Sequence, residues 1–550
     1  MARRLLAALL AGGASVFAFA PFDLFPLAFL GLGALAWLLG GVARWREGFA
    51  LGFAWGFGAF IGGVSWLYVA LERYGGMPAP LAGLAIALFC AYLALYPGLV
   101  GAAFIGLRRR IGARSAPPGG AGGCTVGAGL PAKAASERAT FAGEPAPTGP
   151  ASPAMPMRSA ALFSALWLLS EWLRGVLFTG FPWLAIGYSQ TPPSPLGGLL
   201  PVIGVYGVGG LVALVAALIA FTPRTDWSRP RQVWRPALAV AVLFAGGAGL
   251  LGRAWTAPTG LPLQVALVQT NVPQGLKWDP QRFADVLQVN SDLVREAFSA
   301  PRPPALVVLP ETTLPTLLER LPEGYLDWLA WLAGGVRGDL VMGVFRRDEA
   351  GHIYNAAVSL GSAPAQYYAK QHLVPFGEYS PPLFGWFYKL AQIPMSDQTR
   401  GAPDQPPMRF GDQQVALNIC YEDLFGAELI RALPAATLLL NISNLAWYGD
   451  SLAQPQHLQI ARVRALETGR PMLRSTNTGM TALVQPDGRV SDVLPEFERG
   501  VLRVEAQGYK GLTPYARWGD WPALGLALLI LMAAFLRSAR GRGLARESGA

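Results

Sequence analysis

The sequence predicts a polytopic α-helical membrane bundle of eight transmembrane helices that carries a layered α/β domain outside the cytoplasm. Three observations lead there. Of the 550 residues, 52% are hydrophobic and only 14% are charged, too apolar a balance for an ordinary soluble chain. Eight apolar windows approach the length that crosses a hydrocarbon core, roughly 20 residues as helix. Between 262 and 507 the pattern changes to short β-rich runs alternating with amphipathic stretches.

The windows lie near 5–21, 27–43, 49–71, 81–107, 159–179, 199–222, 236–252 and 521–536. Arg3 and Arg4 precede the first, as in a secretory signal. Phe19-Ala20-Pro21-Phe22, however, is a poor cleavage site and another span follows at once, so the segment counts as a helix. The net charge of +10 would suit a nucleic-acid binder if spread over a soluble surface. Here the arginines collect in short loops, where cytoplasmic bias explains them better. With the N-terminus inside, the loops counted as cytoplasmic carry Arg44 and Arg46, Arg108 to Arg110, then Arg224, Arg229, Arg231 and Arg235, and last Arg537, Arg540, Arg542 and Arg546. Seven spans before residue 253 and one after 520 leave the long segment between them outside.

Residues 111–157 are rich in Ala, Gly, Pro and Ser, a composition too poor in apolar side chains to offset chain entropy, and read as a disordered cytoplasmic insert. The organisation expected is therefore helices 1–4 over 1–110, the insert, helices 5–7 over 158–253, a catalytic domain over 254–510, and helix 8 with a basic tail over 511–550. Cys124 in the insert reads as a passive exposed thiol and Cys90 within a span as a small packing residue. Three cysteines in unlike contexts and three scattered histidines give neither a disulfide framework nor a metal site.

In the α/β segment the expected strands are Gln264–Gln269, Ala305–Leu309, Asp339–Phe345, Asn355–Leu360, Gln414–Ile419, Ala436–Asn441, Met472–Thr476 and Thr481–Gln485. Helices are expected over Pro280–Phe298, Tyr325–Ala333, Leu424–Leu433 and Ala453–Thr468, with a hairpin turn at Asp487-Gly488. Three apolar strands each end on a reactive residue. Val307-Val308-Leu309-Pro310 delivers Glu311, Tyr367-Tyr368-Ala369 delivers Lys370, and Leu417-Asn418-Ile419 delivers Cys420, followed by Tyr421 and Glu422. Alone, each has a bland reading as surface charge or core thiol. Together they supply a nucleophile, a base and a cation. A thiol of pKa near 8.5 is mostly protonated at neutral pH, so Glu311 can take its proton, and Lys370 can stabilise the oxyanion formed on carbonyl attack. Cys420 is also the one cysteine on the outside, with no intramolecular partner for oxidation.

At these residues the chain resembles the nitrilase superfamily: Leu309-Pro310-Glu311, Lys370 in a segment that runs on through His372-Leu373-Val374-Pro375-Phe376-Gly377 to Glu378, and Cys420-Tyr421-Glu422. The closer resemblance is to the apolipoprotein N-acyltransferase family. It spans nearly the whole chain, through Trp172-Leu173-Arg174-Gly175, Gly180-Phe181-Pro182-Trp183, Asn271-Val272-Pro273-Gln274, Lys277-Trp278-Asp279-Pro280 and Thr476-Asn477-Thr478-Gly479. It implies a nitrilase-like α-β-β-α sandwich on the periplasmic side of a bacterial inner membrane, monomeric and without a cofactor. It implies Glu311 as base, Lys370 as oxyanion stabiliser and Cys420 as the acylated nucleophile. Glu378 and Glu422 become supporting acids, and Trp278 and Tyr421 shape an acyl pocket. The donor is then a phospholipid and the acceptor the amine of a diacylglyceryl-cysteine lipoprotein. Leu445 departs from the family, which carries an acid after Asn444.

Two features stay open on sequence. Glu171 and Arg174, at i and i+3 in a span, are either an internal ion pair or a contact to headgroup or substrate. The aromatic run Leu383–Leu390, with Trp386 and Phe387, is either packing or a lid at the membrane surface. The competing function is a membrane-tethered nitrilase-type amidase or hydrolase. Eight spans exceed what a tether needs, which favours substrates arriving from lipid.

Overall fold

The computed structural model describes residues 1–112, 154–222, 230–380 and 397–547. Most of the 111–157 segment, and the aromatic run with Trp386 and Phe387, lie outside the described residues. Five described helices are long and apolar enough to cross a membrane: Trp45–Val64, Ala79–Arg108, Met157–Thr179, Pro195–Phe221 and Val233–Leu251. Pro26–Gly40 and the stretch Trp521–Leu536 are apolar but shorter. Ala2–Ser15 passes into a 3-10 turn at Val16–Ala18, short of the expected 5–21 window.

Small residues set the packing of this bundle. Gly48, Gly52 and Gly56 repeat every four residues along Trp45–Val64 and bring its backbone onto that of the Ala79–Gly112 helix, where a Cβ on Gly52 would overlap the carbonyl of Pro97. Without a hydrophobic drive between helices in lipid, such close approach is what makes the contact favourable. The apolar run continues past Val64, but the helix breaks at Ser65 and resumes as Leu67–Val69 and a π-turn at Ala70–Tyr74.

Beyond the bundle, two sheets stack face to face. One has six strands in the order Val490–Val493, Ala482–Val484, Met472–Thr476, Leu438–Ser443, Gln413–Ile419, Met408–Phe410. The other runs Gly500–Ala506, Leu263–Gln269, Leu306–Val308, Asp339–Arg347, Ile353–Gly361, Tyr367–Ala369, with Leu314–Leu317 beside Asp339–Arg347. Their inner faces share one core, in which Val265, Leu306 and Val341 of one sheet meet Leu417, Leu440 and Leu473 of the other. Helices Phe283–Phe298 and Tyr325–Gly334 cover one outer face. Ala453–Thr468 covers the other. The result is an α-β-β-α sandwich, as the family resemblance implies.

The expected strands all form, with ends shifted by up to two residues. The expected helix over Leu424–Leu433 is instead broken into Gly426–Leu429 and 3-10 turns on either side. Helix Ala453–Thr468 is buried on nearly every side, because its second face packs into the membrane bundle: Ile460, Val463 and Leu466 belong to the same apolar cluster as Trp183, Ile186 and Leu200. A kink at Gly204, where φ is +66°, helps to join the two parts. The Val205 N–H beside it donates to Glu467 Oε1 at 2.7 Å.

Candidate active site

Parallel strands deliver Glu311 and Cys420 to one edge of the stacked sheets, since Leu306–Val308 and Gln413–Ile419 each lie in a parallel ladder and both end there. Glu311 is buried and fully engaged. Its Oε1 accepts from Lys370 Nζ at 3.2 Å and Asn355 Nδ2 at 2.8 Å, and its Oε2 from the Asn444 amide at 3.0 Å. Lys370, 1% exposed, leaves the strand Tyr367–Ala369 with its own N–H on Asn355 O at 2.8 Å. Its Nζ also reaches Glu378 Oε1 at 2.7 Å, and Glu378 Oε2 accepts from the Val374 N–H at 2.8 Å. Asn355 Nδ2 reaches Glu378 Oε1 too, at 3.1 Å, so lysine and amide together bridge the two acids.

Cys420 sits on an elbow. It follows the strand directly, adopts φ of +53° and opens a 3-10 turn over Cys420–Leu424. For a residue with a Cβ that left-handed conformation is strained and has to be held by its surroundings. Glu422 holds one side of it. Its Oε2 accepts from the Ile419 N–H at 2.6 Å and Tyr368 OH at 3.0 Å, its Oε1 from Gln371 N–H at 2.7 Å and His372 N–H at 3.0 Å. Glu422 thus ties the thiol's elbow to the segment just after Lys370.

The charges are uneven. Burial, reinforced by Glu311, pushes the Cys420 thiol well above its usual value despite the opposing Lys370 ammonium. The resting thiol is therefore protonated at neutral pH, and a thiol in that state reacts as a nucleophile only with a base to take its proton. Burial alone would lower the Lys370 pKa, but Glu311 and Glu378 outweigh it and hold the ammonium charged well above the ordinary lysine range. Burial also pushes the Glu422 carboxyl up to about 7, against the N–H donors and Lys370.

The site faces the bundle. Tyr421 OH donates to Gly180 O at 2.8 Å, and His372 Nε2 lies 2.9 Å from Thr179 O, both on the loop that follows the helix Ala154–Val176. Arg174 secures that loop by donating to the carbonyls of Phe181 and Trp183 at 2.5 and 2.7 Å, while Glu171 Oε1 accepts from the Ile186 N–H at 2.7 Å. The Glu171 and Arg174 side chains are 3.9 Å apart. The internal reading of this pair is the one that the contacts favour. Trp278 closes the short helix Gln274–Lys277 with its ring 6.0 Å from Phe345.

Over 542 residues the chain is 43% identical to the apolipoprotein N-acyltransferase of Nitrosomonas europaea, an alignment that covers 98% of each. The chain belongs to the apolipoprotein N-acyltransferase family. The family enzyme of Chromobacterium violaceum is 42% identical over 97% of this chain and 93% of its own. Residues 11–218 match the family model for the apolipoprotein N-acyltransferase N-terminal domain, and residues 264–514 match that for carbon-nitrogen hydrolases. Among solved structures, the carbon-nitrogen hydrolase of Helicobacter pylori G27 aligns with 44% of this chain and 89% of that one, at 17% identity and a TM-score of 0.34.

Several residues of this candidate site in the apolipoprotein N-acyltransferase family member carry no strand-end signal in the sequence. Asn355 and the Asn444 amide complete the Glu311 shell. Lys277, 3% exposed, donates from Nζ to Glu311 O at 3.1 Å, and burial lowers its pKa to about 7 in spite of Glu311 and Cys420. Its place in Lys277-Trp278-Asp279-Pro280 was the available signal.

Proposed function

We propose that the protein transfers a fatty acyl group from a phospholipid to the α-amino group of a diacylglyceryl-cysteine lipoprotein, in two steps through a Cys420 thioester. The observation that carries this reading is the bond from Tyr421, next to the thiol, to Gly180 of the membrane bundle. It sets the reactive elbow against the lipid-embedded part, which suits acyl chains better than soluble amides.

In the first step Cys420 Sγ attacks the ester carbonyl carbon as Glu311 takes the thiol proton, and Lys370 Nζ stabilises the oxyanion. Collapse breaks the ester C–O bond. The lysophospholipid oxygen leaves with the proton held by Glu311, and the acyl group stays on sulfur. In the second step the neutral acceptor amine attacks the thioester carbon and gives its proton to Glu311. The C–S bond then breaks, the amide forms, and Cys420 regains the proton. Glu378 holds Lys370 in place, Glu422 holds the elbow, and Trp278 and Tyr421 line the way for the acyl chain. No cofactor is required by this chemistry.

The chain is read as eight spans in a bacterial inner membrane, with 254–510 as the periplasmic catalytic domain, 111–157 in the cytoplasm and a monomer as the working unit. The arginine-rich loops support that orientation. The experiment is to incubate the purified protein with acyl-labelled phospholipid, then with a diacylglyceryl peptide. A hydroxylamine-labile label on Cys420 that passes to the peptide is expected. Label that appears only as free fatty acid would favour a hydrolase, and no label on Cys420 would overturn the thioester route.

A further inference from the structure

A buried polar row runs beneath the Cys420 elbow. In the parallel ladder Gln413–Ile419, Leu438–Ser443, Met472–Thr476, the residues Asn418, Asn441 and Arg474 stand opposite one another, and all three are fully buried. Their neighbours Leu417, Leu440 and Leu473 point into the core between the sheets. By strand alternation the polar row therefore points the other way, towards helix Ala453–Thr468. Asn441 Nδ2 donates to Asn418 Oδ1 at 2.6 Å and to the carbonyl of Cys420 at 3.1 Å. Arg474 donates to Asp423 Oδ2 at 3.1 Å, and Asp423 lies in the same 3-10 turn as the thiol.

His457, on the covering helix, closes the network. Its Nε2 is 2.7 Å from Asp423 Oδ1, and its Nδ1 is 3.1 Å from Arg474 NH2. A guanidinium only donates, so Nδ1 must be the bare nitrogen and Nε2 must carry the proton given to Asp423. The imidazole is then neutral, in keeping with burial, which lowers its pKa against the pull of Asp423. Trp183 of the membrane bundle covers this histidine, its ring stacked at 5.6 Å and 24°, and its Nε1 donates to Gln456 Oε1 at 2.7 Å.

We infer that Asp423, His457 and Arg474 are positioning residues that hold Cys420 in its left-handed elbow, with Trp183 closing the network from the membrane side. The inference rests on Cys420 being the nucleophile. The physical case is that a residue at φ of +53° keeps that conformation only if flanking atoms are fixed. Here the carbonyl of Cys420 is fixed by Asn441, and the turn after it by an aspartate with two charged or polar partners at bonding distance. Three fully buried polar side chains, one of them a formal cation, cost desolvation that a purely structural turn would not call for. Glu422 serves the Lys370 side of the same elbow, so the two consecutive acids divide the task.

The test uses the full-length protein in a Cys90→Ser, Cys124→Ser background. In Asp423→Leu/Arg474→Met both charges leave together, so no unpaired buried ion remains and the fold is expected to survive. In His457→Gln the amide keeps a donor for Asp423 and loses the Nδ1 acceptor. Thermal unfolding, KM for phospholipid, and single-turnover acylation of Cys420 are measured for each. The expected result for the double variant is near wild-type unfolding and KM with acylation slowed about 10- to 10²-fold, the scale of a misplacement near 1 Å. His457→Gln falls between it and wild type. A folded double variant that acylates at the wild-type rate overturns the inference, as does a loss confined to KM or to unfolding temperature. If Cys420→Ser retains turnover, it is the nucleophile assignment that fails instead.

Discussion

On the proposed mechanism the Lys370 ammonium serves both catalysis and stability, and replacing it with Met, alone and together with a change at Glu378, tests the two effects. The ammonium lies 3.2 Å from Glu311 and 2.7 Å from Glu378, and Asn355 bonds both acids, so the two carboxylates are close neighbours held together by one buried charge. Removing one partner of such a group typically costs about 3–5 kcal/mol, since the remaining charge is left buried without compensation. Loss of an oxyanion donor costs a further factor of about 10² to 10³ in rate, equivalent to about 2.7–4 kcal/mol in the barrier. The first penalty is avoidable. In Lys370→Met/Glu378→Gln one acid becomes a neutral amide, and the remaining Glu311 keeps its bonds from Asn355 and the Asn444 amide. Stability of the double variant should therefore recover most of the loss, while single-turnover acylation stays slow. Thermal unfolding in detergent and quenched acylation with labelled phospholipid read the two effects separately. A double variant that acylates at the wild-type rate would refute the oxyanion role, and a single variant as stable as wild type would refute the charge pairing.

Cys420→Ser should abolish turnover, whereas Cys90→Ser and Cys124→Ser keep most of it, as acceptor-peptide acylation will report. Burial lowers Lys277 to about 7, so between that pH and the ordinary lysine value the unfolded chain binds more protons than the folded one. Folded stability should then rise with pH across that window in wild type, and the rise should shrink in Lys277→Met; equal slopes in pH-dependent unfolding would remove the argument. In outer-permeabilised cells lacking native cysteines, an impermeant thiol reagent should label Asp487→Cys but not Ser136→Cys, and the reverse pattern would invert the topology. Expressed alone, residues 254–510 should aggregate or bind detergent, because Ile460, Val463, Leu424 and Phe425 pack against the bundle; a monodisperse domain without detergent would show that this face needs no cover.

Much of the sandwich was legible because the strands carry strong period-2 or fully apolar patterns, and Met472–Thr476 and Ala453–Thr468 form with the expected ends. The segment after Cys420 was less so. Its apolar content suggested one helix, but the left-handed Cys420 and the Glu422 bond to Ile419 begin a 3-10 turn, and a Cβ on Gly426 would meet the side-chain ends of Arg464 and Tyr515. Helix ends in the bundle shifted for a related reason. Hydropathy does not tell lipid from protein, and the apolar run beyond Val64 turns out to meet protein: Trp66 donates to Gly63 O and packs on Tyr448 and Trp183. Of the site itself, the residues that end apolar strands were readable. Asn355, the Asn444 amide and Lys277 were not, since their roles depend on which strand ends the two sheets bring together.

The same dependence explains why the reactive residues and the membrane part form one unit. Glu311, Lys370 and Cys420 come from three strands whose spacing the sheets fix, but the elbow at Cys420 and the segment after Lys370 are each also bonded to the loop Thr179–Gly180. That loop is in turn held by Arg174, inside a membrane helix. Hydrogen bonds of this kind contribute only about 0.5–1.5 kcal/mol each to stability. They also bear on geometry, because one of them is made by Tyr421, next to Cys420 with its left-handed backbone. That loop therefore contacts both Tyr421, beside the thiol, and His372, in the segment that follows Lys370. The sandwich can supply the chemical groups, but their alignment is completed by side chains and carbonyls that belong to the bundle.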